Sequence, residues 1–274
     1  MDGSSGPRVE LDLHTDRAHG ARIYDYVLGG KDNYAPDRAA AEAAMTTFPS
    51  LRVSMRANRA FMRRVGRFLA AECGIRQFLD IGTGIPTSPN LHEVVQAVTP
   101  SARIVYTDND PIVLAHARAL MTSDPQGRTA YTQADLRNPD AILAAPQLGA
   151  TLDLDEPVGL LAIAVLHFIE DDDEAHRVVG RLLDALPAGS WLALSTATGD
   201  LDPAGTATVE AAYQARGEVL KHRTRAQVER FFDGLEPADP GVVQVHKWRS
   251  DELATAEVKH DADVALFGGV ARKP

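Results

Sequence analysis

Three aspartates close three short apolar runs: Asp80 in FLDIGTG, Asp108 in VYTDND and Asp135 in TAYTQAD. Gly82 and Gly84 follow the first of them, with Thr83 between. A strand that runs into glycines lets its backbone approach a bound group where a Cβ would collide. Charge narrows what that group can be. A phosphate-binding loop has four residues between its glycines and then Gly-Lys-Ser/Thr, and no lysine stands in this turn. A dinucleotide fingerprint has a third glycine three positions after the second, where this chain has Thr87. Asp80 would also repel a pyrophosphate placed beside it.

A cationic ligand reverses the argument. S-adenosylmethionine carries a sulfonium and an α-ammonium and no phosphate. A carboxylate at Asp80 then attracts the ammonium, directly or through water, while Gly82, Thr83 and Gly84 pass beneath the adenosyl group. Asp108, followed by Asn109, can accept both ribose hydroxyls from the tip of a second strand, which suits any adenosine cofactor. Asp135 can accept the exocyclic adenine amine, and the N–H of Leu136 can serve a ring nitrogen. Each aspartate alone reads equally as a strand-end or cap acid. The three together, on successive strand tips beside the glycine turn, point to a cofactor.

The elements that must hold these tips are legible. Residues 77–82, 102–108, 129–135, 158–165 and 190–196 read as strands. Between them lie amphipathic helices, with Ser88-Pro89, Asp110-Pro111 and Asn138-Pro139 each pairing a capping side chain with a proline suited to the first turn. A further helix runs from Asp172 to Leu186 and stops at Pro187 and Gly189. Strands alternating with helices predict a doubly wound, mostly parallel α/β sheet. Residues 196–224 read as loop plus helix, and a capping box from Thr224 to Gln227 opens a helix closed by Gly234. Residues 242–248 and 264–272 are expected to pair as an antiparallel hairpin. Residues 1–70 are expected to form an N-terminal helical segment ahead of an α/β domain over 71–274, with a substrate-side insertion near 197–224.

Composition excludes several classes. The 274 residues carry a formal net charge of −10, which argues against nucleic acid, whose binders need a basic footprint. The longest apolar run, residues 158–169, falls short of the roughly 20 residues a membrane span needs. The N-terminus, MDGSSGPRVELDLH, has no basic stretch followed by an apolar one, so a cytoplasmic protein without membrane contact is expected. The single cysteine, Cys73, excludes an internal disulfide framework and reads as a packing residue. The histidines show no metal-ligand spacing, and the acidic run over 170–176 is explained as negative charge at a helix start. Arg52, Arg56, Arg59, Arg63 and Arg67 form a stripe along one helical face, either solvated or a funnel for an anionic small molecule.

The order DIGTG, YTDND, AD and LLAIAVLHF over residues 75–272 resembles class I S-adenosylmethionine-dependent methyltransferases. That resemblance implies a seven-stranded Rossmann-like sheet whose last strand inserts antiparallel beside the fifth. The stretch ARIYDYVLGGKDNYAPDRAAAE (21–42), with LDIGTGIPTSPNLHE, is similar to a bacterial family of predicted S-adenosyl methyltransferases of unassigned substrate. This second resemblance implies a helical segment folding over the cofactor cleft, with Tyr24, Lys31 and Asn33 approaching it. Read from the residues alone, 24–34 is equally a packed turn in which Gly29-Gly30 end one helix, Asn33 caps the next and both tyrosines are buried.

Methyl transfer from a sulfonium is a direct displacement, so the protein mainly aligns the partners and excludes water. His167, after the fourth strand in AVLHF, is the candidate base, or alternatively a residue that binds backbone and shapes the pocket. Residues 163–165, with Ala164 at their centre, are expected to line the methionine side. The AVLHF sequence stands where DNA amino-methyltransferases carry Asn/Asp-Pro-Pro-aromatic, and it resembles the pattern of enzymes acting on small molecules. A small-molecule acceptor is therefore expected. The competing readings are a protein that binds S-adenosylmethionine or S-adenosylhomocysteine without transfer, and a nicotinamide oxidoreductase, which Asp80 and the missing glycine oppose.

Overall fold

The computed structural model describes residues 14–120, 122–215, 217–250 and 256–274; the first thirteen residues of the expected N-terminal segment lie outside them. Five parallel strands form where expected: β1 (Gln77–Ile81), β2 (Arg103–Asp108), β3 (Arg128–Gln133), β4 (Gly159–Ile163) and β5 (Trp191–Ala197). Three more complete the sheet, β6 (Glu236–Pro237), β7 (Val243–Gln244) and β8 (Leu266–Arg272), in the order β3-β2-β1-β4-β5-β8-β6 with β7 beside β8. β8 runs antiparallel to β5, from Trp191 opposite Arg272 to Ala197 opposite Leu266. Among the described residues the sheet has eight strands rather than the expected seven, the two-residue β7 being the addition.

The central strands are buried on both faces, as a parallel sheet covered by helices must be. Side chains alternate with period two: Phe78, Ile104 and Leu161 pack into one core, and Leu79, Val105 and Leu160 into the other. The first core is closed by α3 (Leu51–Ala71) through Phe61, Val65, Phe68 and Leu69. The second is closed mainly by α8 (Asp172–Asp184) through Val178, Val179, Leu182 and Leu183. α1 (Gly20–Leu28) and α2 (Ala35–Thr47) form a satellite core of Ile23, Val27, Ala40 and Ala41. Among the described residues the remaining α-helices are α4 (Leu91–Gln96), α5 (Pro111–Leu120), α6 (Pro139–Leu143), α7 (Pro146–Gly149), α9 (Pro203–Gln214) and α10 (Arg225–Glu229). No helix among the described residues is long and apolar enough to cross a membrane.

Several start signals hold. The Asp110 carboxylate accepts from the Ile112 N–H at 2.9 Å, and the Asn138 side chain from Ala141 N–H at 3.2 Å. Thr224 accepts from Gln227 N–H at 3.3 Å while the Gln227 side chain accepts from Thr224 N–H at 2.8 Å. Ser88-Pro89 does not start a helix. α4 begins at Leu91 after Asn90, because Glu93 accepts the Asn90 N–H and Asn90 Oδ1 accepts from Thr87 N–H at 3.0 Å, keeping the intervening residues in a turn.

The expected hairpin shrinks to β7, where Val243 and Gln244 pair with Gly268 and Phe267. Arg64 of α3 donates to the carbonyls of Val245 at 2.6 Å and Trp248 at 2.9 Å, which takes this segment off the sheet and buries Trp248 edge-on against Phe61. Part of the link to β8, residues 251–255, lies outside the described residues.

Candidate functional site

The carboxyl ends of β1 to β5 open into one cavity of about 1100 Å³, roofed by α1 to α3 on one side and α9 on the other. In a doubly wound sheet this edge is where ligands sit, beside the point at which strand order reverses; here that point lies between β1 and β4. Asp80, Gly82, Thr83 and Gly84 from β1, Asp108 and Asn109 from β2, and Asp135 and Leu136 after β3 all line it. Ala164 and His167 from the β4 end and Tyr24 from α1 line it too.

Asp80 is buried, and burial pushes its carboxyl up to about 7, against the pull of the Thr83 hydroxyl and of Arg59. The Thr83 hydroxyl donates to it at 3.0 Å. The glycine turn is fastened to β2 by Gly82 and Thr83 N–H groups, which donate to the Thr107 carbonyl at 2.8 and 3.2 Å. Both glycines have positive φ, +69° and +68°, but for different surroundings. A Cβ on Gly82 would lie 2.3 Å from Val165 Cγ2, so this glycine admits a neighbouring side chain rather than a ligand. A Cβ on Gly84 would meet nothing within 4 Å, leaving its backbone bare to the cavity.

Asp108 shapes the turn as well as facing the cavity. Its Oδ2 accepts from Gly84 N–H at 2.9 Å and its Oδ1 from Asp110 N–H at 3.0 Å. A carboxylate keeps further lone pairs for a hydroxyl beyond these two bonds. Burial raises its pKa. Asp135 is held by Arg137: its Oδ1 accepts from the Arg137 N–H at 2.8 Å, and the guanidinium, 3.3 Å from Oδ2, also donates to the Phe168 carbonyl at 2.6 Å.

Ala164 has φ +55°, a left-handed conformation uncommon for a non-glycine residue and concentrated at functional sites. A polar chain pins it. Ala164 N–H donates to Ser195 Oγ at 3.0 Å, Ser195 donates to Asn58 Oδ1 at 2.6 Å, and Asn58 Nδ2 donates to the Tyr24 hydroxyl at 3.3 Å. The Tyr24 hydroxyl donates in turn to the Met55 carbonyl at 3.0 Å. Tyr24 is thus tied to the β4 tip from above.

His167 is buried, and burial, with His222 and Arg223 nearby, pushes its pKa down to about 3. Its Nδ1 accepts from Ala197 N–H at 3.4 Å, so the neutral ring carries its proton on Nε2. That is a hydrogen-bond donor and a poor base. The geometry therefore favours the pocket-shaping reading of His167 over the catalytic one.

Lys31 and Asn33 do not line the cavity. Gly29, at φ +88°, ends α1, and the loop after it folds onto the buried Asp25 carboxylate, which accepts from Asp32 N–H and Asn33 Nδ2, both at 2.9 Å. Gly30 belongs to this knot, since a Cβ there would lie 1.9 Å from Asp25 Oδ1. Asn33 is not the cap of α2 either: that position falls to Tyr34, whose N–H donates to Asp37 at 2.8 Å and whose side chain stays exposed. Most of the GGKDN motif is thus explained by loop closure.

Several cavity residues escape sequence reasoning. Arg22 and Asp110 form an ion pair, Arg22 Nε 3.3 Å from Asp110 Oδ2, and His19 Nδ1 lies 3.2 Å from the same oxygen. Asp110 read only as a helix cap, and Arg22 sits in a helix with nothing in its spacing to mark it. Asn58 lies on the buried face of α3. In the arginine stripe Arg52, Arg56 and Arg67 are exposed, but Arg59 turns inward and donates to the carbonyls of Thr87 and Pro89. His222, after α9, lines the cavity with its ring against Glu210.

Comparison with known proteins fits this geometry. A sequence model of a family described as S-adenosyl methyltransferase matches residues 7–274. A DUF574 family protein from Streptomyces avermitilis MA-4680 is 52% identical, over 96% of this chain and 100% of that one, with a TM-score of 0.92. A candidate methyltransferase from Thermobifida fusca YX is 39% identical, over 95% of this chain and 97% of that one, with a TM-score of 0.87. An O-methyltransferase family protein from Burkholderia thailandensis, 16% identical over 77% of this chain and 55% of its own, shares the fold at a TM-score of 0.50. No curated protein matches the chain.

Proposed function

The chain belongs to the S-adenosyl methyltransferase family, and on that premise we propose that it methylates a small-molecule acceptor by direct displacement. The cofactor, S-adenosylmethionine, supplies an electrophilic methyl on a sulfonium. Everything else falls to the chain's own residues. Asp80 holds the α-ammonium, Asp108 with Asn109 the ribose, and Asp135 with the Leu136 N–H the adenine. Gly84 gives the adenosyl group bare backbone to lie on, and Ala164 borders the methionine side. Thr83 steadies Asp80 rather than reaching for the ligand.

The observation that carries this reading is the convergence of the three strand-tip carboxylates and the glycine turn on one cavity. That space exceeds the upper end of the roughly 300–1,000 Å³ usual for a single small-molecule site, so it has room for an acceptor beside the cofactor. The formal charge of −10 supports a small molecule over a nucleic acid. Helices α1 to α3 serve as a lid segment over the cofactor end, a reading supported by the Arg22–Asp110 pair, and α9 closes the acceptor end. We place the reaction in the cytoplasm, in keeping with an unpaired cysteine, Cys73.

Titration calorimetry with S-adenosylmethionine, S-adenosylhomocysteine and NADH tests the cofactor assignment. Micromolar binding of the first two with no heat from the third is expected. Binding of NADH alone would remove the assignment of Asp80 and the methyl-transfer reading with it.

A further inference from the structure

His167 and His222 stand on the same cavity in opposite states. The ring of His167 accepts at Nδ1 and therefore carries its proton on Nε2. The ring of His222 has Nδ1 3.1 Å from Glu210 Oε1, and the same carboxylate oxygen accepts the His222 backbone N–H at 2.8 Å. A carboxylate only accepts, so the proton of a neutral His222 sits on Nδ1 and the Nε2 lone pair is left free. Of His167 and His222, it is His222 whose hydrogen bonding leaves a ring nitrogen able to take a proton.

Its position suits that task. The residues on either side are fastened beside the ends of β4 and β5: Lys221 N–H donates to the His167 carbonyl at 2.7 Å, and Arg223 N–H to the Ala197 carbonyl at 2.9 Å. Arg223 is fully buried and anchors the segment further through Asp172 at 2.9 Å and the carbonyls of Leu166 and Ile169. The imidazole is therefore held at the carboxyl ends of β4 and β5 by a rigid base, with Glu210 reaching down from α9. Burial lowers the pKa of His222, and the Glu210 carboxylate opposes that fall.

The cavity that His222 lines carries apolar side chains on two sides, Phe48, Leu51 and Met55 from the α2–α3 side and Val209, Tyr213 and Leu220 from α9 and the segment after it, with the polar Glu218, Thr206 and Asp202 among them. An acceptor needs a built base only if it arrives protonated at the attacking atom; a neutral amine attacks without one. We propose that His222, positioned by Glu210, is the general base of the reaction, and that the acceptor is an apolar molecule bearing an acidic, phenol-type hydroxyl. This rests on the methyl-transfer reading above. As the oxygen lone pair forms the C–O bond to the methyl carbon, the C–S bond breaks and its electron pair returns to sulfur, leaving a neutral thioether. The hydroxyl proton passes to His222 Nε2, the imidazolium is stabilised by Glu210, and the proton leaves to solvent after the product.

The test uses the full chain labelled with ¹⁵N-histidine, with His222→Gln assigning the resonance. The expected signal is a neutral His222 in the Nδ1–H form that shifts toward Nε2–H in Glu210→Ala, while His167 stays Nε2–H in both. In parallel, release of S-adenosylhomocysteine is followed with 1-naphthol, 4-phenylphenol and the matched amine 1-naphthylamine. Turnover of a phenol is expected, falling about 100-fold or more in His222→Gln, the scale of a lost general base, with the dissociation constant for S-adenosylmethionine changed less than about threefold. An Nε2–H tautomer at His222, or equal turnover by His222→Gln, overturns the base assignment. Turnover of the amine alone, or of neither phenol, overturns the acceptor class. Loss of S-adenosylmethionine binding by the unmodified protein would instead sink the methyl-transfer reading itself.

Discussion

Arg22 Nε in α1 stands 3.3 Å from Asp110 Oδ2 at the end of β2, and both side chains are almost wholly withdrawn from solvent. This pair joins the N-terminal helices to the carboxyl edge of the sheet, where the cavity opens. Asp110 is two residues beyond Asp108, and its N–H is already a ligand of the Asp108 carboxylate. The contact is reinforced from two sides. Asp37 of α2 lies 3.7 Å from the same guanidinium nitrogen and accepts the His19 N–H at 2.8 Å. The guanidinium also donates to the carbonyls of His14 and Arg17, both at 3.3 Å, so Arg22 organises the chain entering α1.

Replacing Arg22 by Met keeps the length of the stem and removes the charge. Two buried carboxylates, Asp110 and Asp37, then lose the guanidinium beside them, though each keeps other contacts. Breaking a buried pair from one side costs about 3–5 kcal/mol, so the melting temperature should fall by roughly 10 °C, at about 2–4 °C per kcal/mol for a chain of this size. Affinity for S-adenosylmethionine should fall as well, because Asp110 and Asp108 share a turn. Lys31→Ala, outside the cavity, should alter neither quantity. Calorimetry and thermal melts of the two variants check this, and an unchanged affinity in Arg22→Met would mean that α1 does not act on the cofactor edge.

Asp108→Ala removes a carboxylate with two duties, since it faces the cavity and accepts the N–H groups of Gly84 and Asp110. Hydrogen bonds to charged groups contribute about 1.5–3 kcal/mol. The dissociation constant for S-adenosylmethionine should therefore rise by about 10- to 150-fold. Asp135→Ala should cost less, because its carboxylate is half-exposed and already engaged by Arg137. Titration of both variants gives the ranking, and an equal loss from each would show that the ribose and adenine ends contribute alike.

The two glycines of the turn should separate packing from binding. Gly82→Ala drives a Cβ into Val165 at a positive φ, and overpacking of that kind costs typically 1–3 kcal/mol. Gly84→Ala carries only the conformational penalty, roughly 1 kcal/mol, but places a methyl in the cavity. Thermal melts should therefore show the larger stability loss in Gly82→Ala. Calorimetry should show the larger relative loss of S-adenosylmethionine affinity in Gly84→Ala, and the reverse order would mean that Gly82 is the one beneath the adenosyl group.

What could be read in the sequence followed the range of the interactions involved. The strands were legible because Phe78, Leu79, Ile104 and Val105 alternate into two cores that both need apolar residues. The tip aspartates were legible because a strand ending in an acid and a glycine turn is a local pattern. Where a distant side chain decides, local reading fails. Asn90 rather than Ser88 starts α4 because Glu93 and Thr87 engage it. The segment after β7 leaves the sheet because Arg64, far away in sequence, takes two of its carbonyls. Lys31 and Asn33 were drawn toward the cavity by resemblance, whereas Asp25 holds the loop away from it. His222 could not be singled out, because its pairing with Glu210 exists only once α9 has folded.

Asp80 gives the site a pH dependence whose sign can be worked out. Its carboxyl sits at about 7 in the folded chain, chiefly through burial, against about 3.9 in an unfolded one. Between those values the folded state binds more protons than the unfolded state, so stability falls as pH rises through the window from about 4 to 7. At pH 8 the ionised group costs up to about 4 kcal/mol, at 1.36 kcal/mol per unit. Asp80→Asn keeps an acceptor for Thr83 and removes that cost. It should raise the melting temperature most at pH 8 and only about a third as much at pH 5, one unit into that window. The same carboxylate attracts the ammonium of the cofactor only when ionised. Affinity of the unmodified protein for S-adenosylmethionine should therefore weaken up to about tenfold per unit as pH drops below 7. It should also weaken above about 8, where an α-ammonium loses its charge. In Asp80→Asn the low-pH limb should vanish along with most of the affinity. Melts at pH 5 and 8, with calorimetry from pH 6 to 9, decide the matter: affinity flat from pH 6 to 8 in the unmodified protein, with no stability gain in the variant at pH 8, would place the ammonium somewhere other than Asp80.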